Sequence, residues 1–254
     1  MAAIGALSGV LSGLFGIGGG IVMAPLLLFG PPLFGLQALD MRTVAGLTIV
    51  QSLVGSVAGG LVHRRFKFVS MPLVWVMGVS IFIAAALGGV GSAWLSNTVL
   101  LVVFSTLALV AALLMMGGRA DDPEAPVAAD LRFSTPRAIA VATVVGGLGG
   151  MVGQGGSFLL IAMMTRFVGV PTRIAIGSNL LIVAASSLAG VGAKAATGQI
   201  EWLLTIPLVL TVIPAARLGG AISRRTPVRV LRWCLALLIF VAAIQGWRQA
   251  LIGS

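Results

Sequence analysis

Apolar residues in this chain come in long blocks, not in the alternation of a half-buried strand or the single stripe of a surface helix. Eight such segments follow one another, approximately Ile4–Phe29, Thr43–Leu61, Leu73–Leu95, Val99–Met116, Ile139–Val168, Ile174–Ala196, Leu203–Ile222 and Val230–Trp247. Each is long enough to cross a bilayer as a helix, which takes roughly 20 apolar residues. A polar stretch from Gly117 to Arg137 separates four segments from four. It holds Asp121, Asp122, Glu124 and Asp130 together with Pro123, Pro126 and Pro136, the composition of a solvated linker. The chain thus reads as a first unit, 1–117, a linker, 118–137, and a second unit, 138–254.

Glycine interrupts the first and fifth segments near their middles. The runs Gly9–Gly20 and Gly146–Ser157 superimpose at an offset of 137, with Gly9 on Gly146, Gly13 on Gly150, Gly16 on Gly153, Gly18 on Gly155 and Gly19 on Gly156. Beyond them the offset is 131, placing Gly46 on Gly177, Ala58 and Gly59 on Ala189 and Gly190, and Gly88 and Gly89 on Gly219 and Gly220. The halves are repeats. Clustered glycine disfavours a helix interior by roughly 1 kcal/mol per residue, so the helix is expected to break at 16–20 and again at 153–157. Broken helices survive in a membrane only where protein or a water-filled cavity satisfies the freed backbone groups.

Charge decides how the repeats are oriented. If all eight segments cross, Lys and Arg divide almost evenly between the two sides. If segments one and five are instead re-entrant, one side collects Arg64, Arg65, Lys67, Arg119, Arg132, Arg137, Arg166, Arg173, Arg224, Arg225, Arg229 and Arg232, and the other keeps Arg42, Lys194 and Arg248. The positive-inside rule selects the second arrangement and makes the rich side cytoplasmic. The basic loop His63–Lys67 corresponds to the nearly neutral Lys194–Gly198, and the uncharged Ser92–Thr98 to the basic Ser223–Arg229. Basic and neutral loops exchange between halves, as inverted-topology repeats require. The expected fold is an all-α polytopic membrane protein of two inverted repeats, each with three transmembrane helices and a glycine-broken or re-entrant segment.

Composition narrows the function. Hydrophobic residues make up 59% of the 254 and charged residues 9%, against roughly 25% charged in soluble domains. The formal charge of +10 lies in short loops without an aromatic–basic platform, which excludes nucleic acid as a partner. Cys234 is the only cysteine and His63 the only histidine, and no carboxylate falls inside a predicted span, so neither a metal site, a cofactor nor a catalytic constellation is expected. The N-terminus lacks the basic region of a signal peptide, and the first segment is expected to be retained.

The run Gly13–Gly20 followed by Pro25, echoed in Gly149–Ser157, resembles the TauE/SafE sulfite exporters, also called the 4-toluene sulfonate uptake permease family. Length, four-plus-four layout and central linker are similar too, so the resemblance covers essentially the whole chain. It implies movement of a small sulfur-containing anion, such as sulfite or an organosulfonate, across a bacterial inner membrane. The second run has Ala162 where the first has Pro25, so the two half-sites are not equivalent.

Candidate ligands follow from these breaks. Gly16, Gly18, Gly19 and Gly20, with Gly153, Gln154, Gly155, Gly156 and Ser157, would present backbone N–H groups at the starts of two half-helices meeting at the midplane, where a helix N-terminus favours an anion. Thr48, Gln51, Ser52 and Ser56 lie on the facing crossing of the first half, and Ser178, Asn179, Ser186 and Ser187 on that of the second. Gln51 and Asn179 are the costliest of these to bury and the better candidates. Arg217 is the charge deepest inside a predicted span, and an intramembrane arginine pairs readily with an anion. His63 and Lys194, which correspond in the repeats, are expected as interfacial anchors. The function expected is secondary transport of a small oxyanion by alternating access. An anion channel with a glycine-lined filter is the alternative, an intramembrane enzyme a weaker one, and a homodimer is left open. Single cysteines placed in the Arg64–Lys67 and Ser223–Arg229 loops of a Cys234→Ser background should react with impermeant reagent from the cytoplasmic side alone. Labelling from opposite faces would sink this topology.

Overall fold

The computed structural model describes residues 2–20, 23–24, 26–28, 39–116, 128, 131–153 and 156–252. Among these every regular element is helical: α1 (Ala2–Phe15), α2 (Met41–Arg65), α3 (Met71–Gly91), α4 (Asn97–Met116), α5 (Thr135–Met151), α6 (Ser157–Met163), α7 (Thr172–Ala196), α8 (Trp202–Arg225) and α9 (Val228–Ile252). The chain is an all-α polytopic membrane protein. Six helices, α2, α3, α4, α7, α8 and α9, are long and apolar enough to span a bilayer. The first and fifth apolar segments are instead split into short pieces at their glycine runs. Apart from Ala128, the acidic part of the linker lies outside the described residues.

Local chemistry sets the helix ends. Asp40 caps α2, its carboxylate accepting from the Thr43 N–H at 3.2 Å. Pro72 and Pro136 occupy the first turns of α3 and α5, where a missing N–H costs nothing. α6 runs on into a π-helical turn, Met164–Val168, which ends at the left-handed Gly169.

The fifth segment turns back on itself. Arg137 near its start and Arg166 near its end line one groove together with Val141, Val144 and Phe167. Helices α2 and α7 form the centre, with 78% and 72% of their spanning stretches buried against 39–44% for the other four spans. They cross antiparallel: Ile49 meets Gly190, Ser52 meets Ser187, and Gly60 meets Leu181.

The packing of one half repeats in the other with the partners exchanged. Gly13 of α1 abuts Ala216 of α8, and its counterpart Gly150 of α5 abuts Ala85 of α3. Gly219 lies on the Val10 carbonyl, and Gly88 on the Gly147 carbonyl. Arg42 donates to the carbonyls of Ala93 and Leu95 at 3.3 and 3.2 Å, while Arg173, its counterpart, donates to Ser223 and Thr226 at 3.3 and 2.9 Å. Each repeat's first helix is therefore clamped to the second span of the other. In lipid no hydrophobic force drives helices together, and small residues that let backbones touch supply the contact. Large apolar residues point outward instead, among them Trp75, Leu203 and Leu210.

A Cβ at Gly88 or Gly219 would overlap a backbone carbonyl, whereas one at Gly192 meets nothing within 4 Å. Gly88→Val and Gly219→Val should each lower the melting temperature in detergent by an amount reflecting about 1–3 kcal/mol or more of overpacking. Gly192→Ala should be neutral or slightly stabilising. Equal melting temperatures for all three proteins would show that these helices do not depend on backbone contact.

Candidate functional site

Both breaks are built on glycines in left-handed backbone. Gly16 and Gly153 have φ of 70° and 73°, and Gly19 and Gly156 have 80° and 70°, a conformation most side chains avoid. The carbonyls they release are met from the central pair of helices. Thr48 Oγ1 of α2 donates to the Gly153 carbonyl at 3.0 Å, and Asn179 Nδ2, its counterpart on α7, donates to the Gly16 carbonyl. One turn earlier on the first half-helix, His63 Nε2 lies 3.0 Å from the Gly13 carbonyl. Its counterpart Lys194 reaches the Met151 carbonyl at 3.5 Å and bonds Ser92 Oγ at 2.8 Å and Gln199 Oε1 at 3.0 Å.

Equivalent glycines of the two breaks meet equivalent residues of the central pair: Gly16 rests against Ile176 of α7, and Gly153 against Ala45 of α2. The first break is lined by several polar side chains that lack partners. Gln51 Nε2 and Oε1, Ser12 Oγ and Ser56 Oγ are all buried without a hydrogen bond. They converge through glycine: Gly19 abuts Gln51 Nε2, Gly18 lies against the Ser52 and Ser56 hydroxyls, and Gly55 against Ser12 Oγ. The corresponding positions of the second half are Gly149 for Ser12, Ile182 for Gln51, Val183 for Ser52 and Ser187 for Ser56. The polar cluster at the first break thus brings together several hydroxyls, an amide and a turn of positive-φ glycine. Orphaned groups of this kind in low dielectric cost about 1–3 kcal/mol each, which favours a ligand or water that satisfies them.

Residues 1–246 match the family model for the sulfite exporter TauE/SafE. The chain belongs to the TauE/SafE family. It is 26% identical over 264 residues to the probable membrane transporter protein YunE of Bacillus subtilis, covering 95% of this chain and 94% of that protein. A probable membrane transporter protein of Xylella fastidiosa is 27% identical over 260 residues, with 96% and 93% covered. A further relative, probable membrane transporter protein MJ0441 of Methanocaldococcus jannaschii, is 20% identical over 251 residues. This TauE/SafE chain is accordingly a multi-pass membrane transporter.

Within this family member the candidate residues fall into three groups. Gly16, Gly18, Gly19, Gly20 and Gln51 come together at the first break, and Asn179 joins them through Gly16. Gly153, Gly156 and Ser157 form the second break, where Ser157 Oγ is buried and unpartnered; Gln154 and Gly155 lie outside the described residues. Arg217 joins neither. It is exposed beside Leu218, which is 62% exposed, because Ala215, Ala216, Gly219 and Gly220 take the inner face of α8 against α1 and α2 and turn position 217 outward. His63 and Lys194 also depart from expectation: they are 1% and 0% exposed, holding half-helix ends instead of anchoring at the interface. Ser12 was missed. Its signal was that it is the polar residue of the first glycine run where the second has Gly149.

Two substitutions separate the structural side chains from the unpartnered ones. Asn179→Leu leaves the Gly16 carbonyl orphaned and should cost about 1–3 kcal/mol. Gln51→Leu removes no bond and should leave the melting temperature unchanged or raised. A drop for Gln51→Leu equal to that for Asn179→Leu would mean that Gln51 holds the fold and does not face a ligand.

Proposed function

We propose that this chain is a secondary transporter of small sulfur-containing oxyanions, sulfite or an organosulfonate, in a bacterial inner membrane. The observation that carries the reading is the buried polar cluster at the first break: the unpartnered side chains of Gln51, Ser12 and Ser56, with Ser52 beside them and the backbone of Gly18 to Gly20. Hydroxyl and amide donors beside a helix start bind an oxyanion by dispersed hydrogen bonds without burying a cation against it. The second break, whose Ser157 hydroxyl is also buried and unpartnered, supplies the surface that the anion meets when the site opens to the other side. Antiparallel packing of equivalent helices supports inverted repeats and, with them, alternating access. The family description, sulfite exporter, supports the substrate class.

A glycine filter that leaves the anion in file would make a channel, and the same measurement separates the two. In proteoliposomes, sulfite flux should saturate and show counterflow, whereas single-channel currents would replace the carrier with a pore. Gly18→Val should reduce flux at least about tenfold, since its added atoms fall on the Ser52 and Ser56 hydroxyls and its φ of 65° is unsuited to a branched side chain. Gln51→Leu should do the same, and Arg217→Ala should retain flux. Normal transport by Gly18→Val and Gln51→Leu would place the anion elsewhere.

A further inference from the structure

A groove lies between the two ends of the fifth segment. Its floor is apolar, from Val141, Val144, Met163 and Phe167, and two arginines, Arg137 and Arg166, stand in its lining. Val144 and Phe167 are 54% and 47% exposed, so the floor meets lipid. Both guanidiniums are exposed, and neither has a carboxylate partner among the described residues. The groove sits at the level where helices end: Arg137 lies in the first turns of α5, and Arg166 precedes the Gly169 stop and the start of α7. In the first half Phe29 stands in the sequence at the counterpart of Arg166.

We propose that this groove is a binding site for an anionic phospholipid of the leaflet on the basic side. The phosphate lies between Arg137 and Arg166, and an acyl chain runs along Val141, Val144, Met163 and Phe167. Each part of the occupant answers a part of the groove. A phosphodiester accepts hydrogen bonds from two forks at once, and basic pockets at helix ends on the cytoplasmic side hold anionic headgroups. A soluble anion would leave the apolar floor bare, and a neutral lipid would leave the arginines without a counter-charge. The assignment does not depend on what the transporter carries.

Native mass spectrometry of the detergent-purified protein, titrated with phosphatidylglycerol or phosphatidylcholine of identical acyl chains, tests it. The wild-type protein should retain phosphatidylglycerol about tenfold more strongly than phosphatidylcholine. Arg137→Gln with Arg166→Gln should bring the two lipids to parity, whereas Arg64→Gln with Arg65→Gln, on the same face outside the groove, should keep the preference. Val144→Trp, which fills the floor and keeps both arginines, should reduce occupancy by either lipid and serves if the arginine variant does not fold. Absence of a preference in the wild-type protein overturns the proposal, as does an equal loss from the Arg64 and Arg65 variant or unchanged occupancy in Val144→Trp. A preference that emerges only after Asp121→Asn, Asp122→Asn and Glu124→Gln overturns it in favour of the linker as occupant.

Discussion

A helix that breaks inside a bilayer frees carbonyls that no water reaches, and each one left alone costs several kcal/mol. The structure answers this with four side chains at two pairs of equivalent positions. Thr48 and Asn179 take the carbonyls of Gly153 and Gly16, and His63 and Lys194 take those of Gly13 and Met151. All four lie on α2 and α7, which explains why the central pair must be both deeply buried and polar. The remaining helices are arranged around that requirement: α3 and α8 hold the first half-helices against the centre, and α4 and α9 pack together alongside.

The same positions that are equivalent by repeat are not equivalent by chemistry. Asparagine and threonine both donate to a carbonyl, so the structural bond is kept while the residue drifts. Gln51 and Ile182, or Ser52 and Val183, keep nothing in common. Symmetry is retained where a side chain holds backbone together and lost at Gln51 and Ser52, where the second half has Ile182 and Val183.

Much of this was legible from residue patterns. Glycines recurring at fixed offsets reported backbone approach, because nothing larger fits where Gly88 meets Gly147. What failed to show was rotation about a helix axis. Arg217 sits in an apolar run with no polar stripe to orient it, and only the small residues at 215, 216, 219 and 220, identified by what they touch, reveal that it faces out. His63 and Lys194 were misread for a related reason. Proximity to a helix end places a residue near the interface in sequence, but the half-helix ends of α1 and α5 reach those same depths and draw both side chains inward. The absence of partners for Gln51 has no sequence signature at all.

The exchange of partners between halves also makes each half depend on the other. Without the second half, α1 would carry a glycine face with nothing to lie on, because the surface that fits it belongs to α8, and α5 stands in the same relation to α3. Neither half can complete its packing until the other is in place.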